Sequence, residues 1–333
     1  MKIIIPMAGM GKRMRPHTLT IPKPLINIAG KPIVQRLAEG IVKVAGKKVD
    51  EIAFIIGDFG SEVEQKLIGI AENLGAKGSI YYQHEALGTA HAIHCAAESL
   101  KGNVIVAFAD TLFDADFQLD AEKDGIIWTH KVDDPSAFGV VKKNDRGIIT
   151  DFIEKPKEFV SDEAIIGIYY FKDGENLRSE LQYLMDNNIV KGGEYQLTDA
   201  LENMKLKGLM FYSGQVKEWL DCGNKDATVY TNTRSLELIK DEVLISRSAQ
   251  LINTQIIEPC FIGDDVVLEN SIIGPHVSVE TKTIIKNSVI TNSMIGSNSI
   301  IEGGYIDNSM IGNSVIYKKA AADLSLGDFS TLK

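Results

Sequence analysis

Near the amino terminus, residues Ala8 to Thr18 read Ala-Gly-Met-Gly-Lys-Arg-Met-Arg-Pro-His-Thr, and Pro22-Lys23-Pro24-Leu25 follows shortly after. This glycine-rich turn comes directly after the apolar run Ile3-Ile4-Ile5. Around Ala8, Gly9 and Gly11 the backbone can bring N–H groups close to a phosphate with little or no side-chain obstruction at those positions. Arg13 would then stabilise charge on a transferring phosphoryl group, and Lys23 would act as a second cation. Charge along the chain agrees. From Met1 to Ala38 there are seven basic residues and no acid, although the formal net charge of the whole chain is -10. A positive segment in an acidic protein suits a small polyanion. The overall charge argues against a general nucleic-acid binder, which needs a basic surface to meet the phosphate backbone.

Other residues with reactive or metal-binding side chains give a thinner signal. His91 and His94 stand three apart on an expected helix, but no third ligand lies nearby to complete a zinc site. Cys95, Cys222 and Cys260 show no paired spacing and read as reduced, space-filling thiols. Cys222 draws notice because it follows the carboxylate of Asp221.

The elements that must position these residues alternate between strand and helix in the first half. Ile3–Ile5, Ile52–Ile56 and Val104–Ala109 are apolar strand runs. Between them, Ile33, Leu37, Ile41 and Val44, then Val63, Leu67, Ile70 and Leu74, recur at helical spacing. Such alternation implies a mostly parallel sheet with ligands beyond the carboxyl ends of its strands, which puts the glycine turn and Asp110 at one mouth. Strands are expected at 125–130, 138–141, 148–153 and 165–171, and helices near 176–185, 196–204 and 224–240. The middle of the chain therefore reads as an inserted, partly antiparallel portion. From about Ala249 an aliphatic-Gly-x-x-small-x pattern recurs at Ile262, Ile273, Ile295 and Ile311, with Asn-Ser pairs at Asn270, Asn287, Asn292 and Asn308. Spacings near 16 or 17 fit the turns of a three-sided parallel β-helix, with aliphatics inward and stacked Asn and Ser at the corners.

The opening motif resembles that of the sugar nucleotidyltransferases, also called sugar-1-phosphate pyrophosphorylases, and further landmarks follow in family order. The resemblance implies a Rossmann-like mixed α/β sheet, a catalytic domain over 1–235, a connecting helix and linker over 236–249, a short left-handed parallel β-helix over 250–318 and a tail over 319–333. Gln83 to Ala90 looks like the base-recognition loop, with Gln83, Gly88 and Thr89 at the nucleotide. Asp110 and Asp221, the latter in Trp219-Leu220-Asp221-Cys222-Gly223, resemble the two Mg²⁺ ligands. Two carboxylates at the mouth of a parallel sheet suit that hard cation. Gly139 in Phe138-Gly139-Val140 resembles the turn touching the sugar. Glu154 and Lys155 look like a sugar-hydroxyl acceptor and a phosphate-binding lysine, and Glu194 opens a segment behind the sugar pocket. Lys12 departs from the threonine of many members, adding charge near the triphosphate.

The implied reaction is nucleotidyl transfer from dTTP or UTP to a hexose 1-phosphate, glucose 1-phosphate foremost, with release of pyrophosphate. The choice between dTTP and UTP stays open. Alternatives are a GDP-mannose-type pyrophosphorylase and a non-catalytic relative, although Arg13, Asp110 and Asp221 are all present. Acyl transfer by the β-helix is disfavoured, because the repeats are few and no long loop interrupts them. Expected partners are a nucleoside triphosphate, a sugar 1-phosphate and further copies in a homo-oligomer, with no nucleic acid and no membrane. No apolar stretch approaches the ~18 residues of a membrane span, and a cytoplasmic location is expected.

Overall fold

A computed structural model describes residues 1–116, 118–319, 325, 327 and 329–331. Most of the expected tail over 319–333 lies outside the described residues. The chain divides into two compact units, Met1–Asn27 with Lys31–Thr228, and Ile28–Gly30 with Val229–Lys333.

The first unit is organised around β1 (Lys2–Pro6), whose residues Ile3, Ile4 and Ile5 are wholly buried. A strand that is apolar at every position needs cover on both faces, as central strands of parallel sheets have. Short strands β2 (Asn27–Ile28) and β3 (Lys31–Pro32) precede α1 (Ile33–Ala45). That helix buries Ile33, Leu37, Ile41 and Val44 along one side and stops at Gly46, whose φ of 58° is the left-handed conformation glycine takes most readily. Next come β4 (Glu51–Ile56), α2 (Ser61–Asn73), β5 (Lys77–Tyr82), α3 (Thr89–His94) and β6 (Val104–Ala107). β1 pairs in parallel with β4 on one side and β6 on the other, and β4 pairs in parallel with β5. The chain thus winds outward from β1 through β4 to β5, then returns to the opposite side of β1. That reversal opens a crevice at the carboxyl ends of β1 and β6.

The inserted portion is largely antiparallel. β7 (Thr111–Asp114), β8 (Gly125–Lys131), β9 (Gly139–Lys143), β10 (Ile149–Glu154) and β11 (Glu163–Phe171) follow. β11 runs antiparallel to both β6 and β8, and β9 pairs antiparallel with β10. α4 (Gly174–Asp186) and α5 (Leu197–Leu206) pack buried leucines into the core that Phe171 and Phe211 also fill. β12 (Phe211–Gln215) adds to β8, and β13 (Glu218–Asp221) pairs antiparallel with β7. The apolar run expected to continue as strand to Ala109 ends as strand at Ala107, and Phe108 N–H donates to Gly167 O at 2.9 Å. The strands at 77–82, 111–114, 211–215 and 218–221 carried no clear pattern of their own. The helix α6 (Lys225–Leu238) begins in the first unit and ends in the second.

In the second unit, short parallel strands stack as a β-helix. Leu268, Ile285 and Ile301 point inward on one side, Ile273, Ile290 and Ile306 on another, and Ile262, Val279 and Ile295 on the third. Each corner needs a left-handed residue. Asn253, Asn270, Asn287 and Gly303 supply one row, with φ of 46°, 49°, 49° and 80°. Asparagine tolerates this conformation best among side-chain-bearing residues. Asn253 Nδ2 donates to Asn270 Oδ1 at 2.8 Å, and Ser288 N donates to Ser271 Oγ at 3.2 Å, so the corners are hydrogen-bonded from coil to coil. The repeat shortens along the stack. Ile245, Ile262 and Val279 align at intervals of 17, whereas Val279, Ile295 and Ile311 align at 16. The corners holding Glu258-Pro259 and Gly274-Pro275 carry one residue more than the corner at Thr291–Ser293, which accounts for the change.

Candidate active site

At the carboxyl ends of β1 and β6 lies a cleft of about 410 Å³, lined among others by Ala8, Gly9, Gly11, Arg13, Lys23 and Asp110. The glycine turn is shaped by Gly11, whose φ of 55° is left-handed; a Cβ there would come within 3.0 Å of Thr18 Cγ2 and 3.1 Å of Lys23 Cβ. Thr18 Oγ1 donates to Gly11 O at 2.8 Å, closing the loop. Gly9 has open space where a side chain would be, as expected for backbone facing a ligand. The chain then forms a short 3-10 turn over Lys12–Met14, anchored by buried Met14, so that Arg13 is left exposed at the cleft.

Two carboxylates meet here. Asp110 follows β6, and Asp221 ends β13, directly opposite Thr111 in the β7–β13 ribbon. Cys222 N donates to Asp110 O at 2.9 Å and clamps the two segments together. Burial pushes the Asp221 carboxyl above its ordinary pKa; an N–H bond from Gly223 opposes the rise, the Asp110 carboxylate adds to it, and Lys23 and Arg13 oppose it. The two acids therefore feel one another. A side chain at Gly223 would lie 2.9 Å from Asp221 Oδ2 and 3.2 Å from Arg13 Nη2, so only glycine lets acid and guanidinium approach there. Lys23 Nζ sits 2.9 Å from Asp110 Oδ2, with its side chain only 12% exposed. Its ammonium stands where a cation is wanted. Two adjacent hard oxygen donors, one held by an ammonium and the other raised in pKa, fit a divalent cation that takes few protein ligands.

A second cluster holds Gly139, Glu154, Lys155 and Glu194. Gly139 faces Glu154 across the β9–β10 pair, and a Cβ on Gly139 would lie 3.1 Å from Glu154 Oε2. Burial raises the pKa of Glu154; Lys155 opposes the rise, and Asp199 and Glu194 reinforce it. Lys155 Nζ lies 3.8 Å from Glu154 Oε1, and its side chain is 66% exposed. Lys155 thus pairs with Glu154 and not with the carboxylates of the first cluster. Glu194 belongs to both neighbourhoods, lining the cleft as well as acting on Glu154. Asp199, which the sequence reading gave no role, is buried beside Glu154 and pairs with Lys191, while its Oδ2 has no hydrogen-bond partner.

Gln83, Gly88 and Thr89 line the same cleft. Gly88 has a φ of 111°, and a Cβ there would fall 2.5 Å from Tyr195 O and 2.7 Å from Tyr195 N. The backbones interlock: Tyr195 N donates to Leu87 O at 2.8 Å, and Ala90 N to Tyr195 O at 3.0 Å. Thr89 Oγ1 accepts from Leu197 N at 2.9 Å. The loop carrying Gln83 is thereby fastened to the segment carrying Glu194, a link between residues about a hundred apart that no local pattern announces. Gln83 Nε2 donates to Gly88 O at 3.3 Å and faces His91 Nδ1 at 3.2 Å. His91, weighed from sequence only as a metal ligand, therefore borders the cleft's polar groups. Among the described residues no group of three or more metal-ligating side chains occurs.

Known proteins share this arrangement of chain. A family model described as nucleotidyl transferase matches residues 2–237. The chain is similar to the glucose-1-phosphate thymidylyltransferase of Streptomyces antibioticus, at 28% identity over 319 residues, covering 89% of this chain and 87% of that one. It is 33% identical over 233 residues to the mannose-1-phosphate guanylyltransferase catalytic subunit beta of Danio rerio, covering 66% of this chain and 63% of the relative. A solved UDP-glucose pyrophosphorylase complexed with UDP-glucose aligns over 71% of this chain and 98% of its own, with TM-score 0.58 and 23% identity, a likeness of fold.

Proposed function

The chain belongs to the nucleotidyl transferase family, and on that premise we propose that it joins a nucleoside monophosphate from dTTP or UTP to a hexose 1-phosphate, glucose 1-phosphate foremost, releasing pyrophosphate. One observation carries the reading: Asp110, Asp221, Lys23 and Arg13 are gathered at the crevice where the sheet reverses its order. An oxygen of the sugar phosphate attacks the α-phosphorus, and the bond to the bridging oxygen breaks as pyrophosphate leaves. The nucleophile is already an anion near neutral pH, so no strong base is required. What remains is to hold two polyanions in line and to neutralise charge.

In this reading the backbone of Ala8, Gly9 and Gly11 receives the triphosphate, and Arg13 neutralises charge on the transferred group. Asp110 and Asp221 would hold Mg²⁺, which would supply charge neutralisation at phosphate oxygens, and Lys23 beside Asp110 offers a further cation to a phosphate. Gln83, Gly88 and Thr89 take the base, while Gly139, Glu154 and Glu194 take the sugar, with exposed Lys155 reaching its phosphate. The alignment with the thymidylyltransferase is long enough to extend into the second unit, whereas that with the guanylyltransferase covers a smaller share of the chain. This favours the former substrate pair. We further infer a homo-oligomer located in the cytoplasm; among the described residues no helix is long and apolar enough to cross a membrane.

The test is a matrix of pyrophosphate release with dTTP, UTP, GTP, CTP and ATP against glucose, mannose, galactose and N-acetylglucosamine 1-phosphates, with and without Mg²⁺. The greatest kcat/KM should fall on dTTP or UTP with glucose 1-phosphate and vanish with chelator. Absence of turnover across the matrix would remove the catalytic reading, and a maximum at GTP with mannose 1-phosphate would replace the substrate pair.

A further inference from the structure

We propose that His91 is a specificity-determining positioning residue: with the Gly88 carbonyl it holds the NH₂ of Gln83, leaving Gln83 Oε1 as the free end of the amide, so that the cleft admits bases with a ring N–H on their pairing edge over bases with a lone pair there. The inference rests on the reading of the cleft as a nucleotide site.

The chemistry follows from what each partner can do. Gln83 comes directly after β5, with its backbone N–H held by Ile56 O at 2.9 Å, and the residue lines the cleft. Its Nε2 lies 3.3 Å from Gly88 O and 3.2 Å from His91 Nδ1. A backbone carbonyl can only accept, so the end of the amide that faces Gly88 must be the NH₂. The same NH₂ faces His91, so Nδ1 must be the unprotonated ring nitrogen and the imidazole proton sits on Nε2. Two amide hydrogens then have two acceptors. Only Oε1 is left, and it can only accept.

The fold holds His91 in this role. The residue lies in the first turn of α3, three positions after Gly88, whose positive-φ backbone, open to glycine alone, packs directly against Tyr195. Burial lowers the pKa of His91, Glu85 opposes that shift, and His94 on the same helix is the neighbouring titratable ring. The ring is therefore neutral near pH 7, as an acceptor must be. Uracil, thymine and guanine each present a ring N–H at the centre of the pairing edge, to which Oε1 is complementary. Cytosine and adenine present a lone pair at that position, and it would face the lone pairs of Oε1. A site built around a fixed hydrogen-bonding group rejects the mismatched ligand strongly, because the buried polar group is left unpaired.

Equilibrium binding of dTTP and dCTP to the full-length protein in Mg²⁺, followed by calorimetry, tests this without relying on turnover. The wild type should favour dTTP by about 10-fold to 100-fold, as a well-formed base-edge contact does. His91→Leu should bring the two affinities within about threefold, since only Gly88 O then holds the NH₂ and the released amide hydrogen can donate to the cytosine lone pair. In His91→Asn, Oδ1 can accept from the same NH₂, and at least about half the logarithmic preference should return. Lowering the pH through the His91 titration should shrink the ratio in wild type but leave it flat in His91→Leu, because both nucleotides carry the same triphosphate. Equal binding of the two nucleotides by the wild type would overturn the proposal while leaving the nucleotide site intact. So would an undiminished preference in His91→Leu, or His91→Asn behaving like His91→Leu. Failure of every nucleotide to bind would instead overturn the reading of the cleft, and the proposal with it.

Discussion

Asp221 sits where two demands conflict, and its substitution separates them. Its carboxyl is raised above the ordinary 3.8, first by burial and then by Asp110. An acid with a raised folded pKa binds its proton more tightly folded than unfolded, so its ionisation costs stability as pH rises through that window, and the cost is fully present above it. Asp221→Asn should therefore raise the Tm of chelator-treated protein at neutral pH, and the gain should shrink as the pH is lowered toward 3.8. Divalent ions should stabilise the wild type but not the variant. Thermal melts across pH, with and without Mg²⁺, check this; a gain that is the same at both ends of the range would exclude the ionisation as its source. Turnover should move the other way. Asp110→Asn and Arg13→Ala should each lower kcat by about two to three orders of magnitude, the usual cost of losing one group that neutralises transition-state charge. A pyrophosphate-release assay showing near-normal rates would remove either residue from the chemistry. Most of these residues were legible because type and local spacing carry them: a glycine turn after an apolar strand, an acid at the end of another. His91 and Asp199 were not. Their partners, Gln83 and the Glu154 carboxylate, reach them through the fold, and a histidine's type does not say whether it will accept, donate or bind a metal.

At the scale of elements, the glycines at enforced positions mark where segments distant in sequence touch. Gly88 at φ 111° admits no side chain, with Tyr195 backbone atoms 2.5 and 2.7 Å from where a Cβ would stand. Gly88→Ala should destabilise the protein by about 2–3 kcal/mol from backbone strain and the forced separation of the two loops. It should also weaken nucleotide binding, since Gln83 loses the Gly88 carbonyl as a fixed acceptor. Urea unfolding and nucleotide affinity measured on the same preparation check both; retention of wild-type stability would show that the loops are not fastened there. The strands and helices with strong periodicity were readable because a buried face imposes its repeat on the sequence. The ribbon of β7 and β13 was not, although it sets Asp221 beside Asp110. Each strand has only four residues, too few to display a repeat, and the pairing joins segments about a hundred residues apart. The β-helix was readable for the opposite reason: each coil repeats the same corner, so Asn253, Asn270 and Asn287 recur in register. Its drift from 17 to 16 residues appears only once the corners are aligned.

For the whole molecule, the self-association proposed above is predicted to use one side of the β-helix. Along it, Glu269, Lys286, Glu302 and Lys318 stand in register, with Lys286–Glu269 at 2.7 Å and Lys318–Glu302 at 3.1 Å. Beside them Val267, Ile284 and Ile300, each half-buried, and Ile316, 70% exposed, form an outward apolar row. Exposed apolar rows rimmed by charge are a usual mark of an interface. The order of charges says which partner fits. Minus-plus-minus-plus read backwards is its own complement, so a second copy related by a two-fold axis would set Glu269 against Lys318 and Lys286 against Glu302. The apolar rows would then meet each other, as an isologous interface requires. The doubly substituted Lys286→Glu/Lys318→Glu protein, with four like charges in line, should sediment as the 36.5 kDa monomer. So should Glu269→Lys/Glu302→Lys. Mixed in equal amounts, the two should associate again, because the opposed rows are once more complementary. Loss of the intrachain pairs alone does not produce that pattern, since exposed ion pairs contribute only about 0–1 kcal/mol and would not be restored by mixing. If wild type and both variants sediment alike, or if mixing restores nothing, this side of the β-helix is not where copies meet.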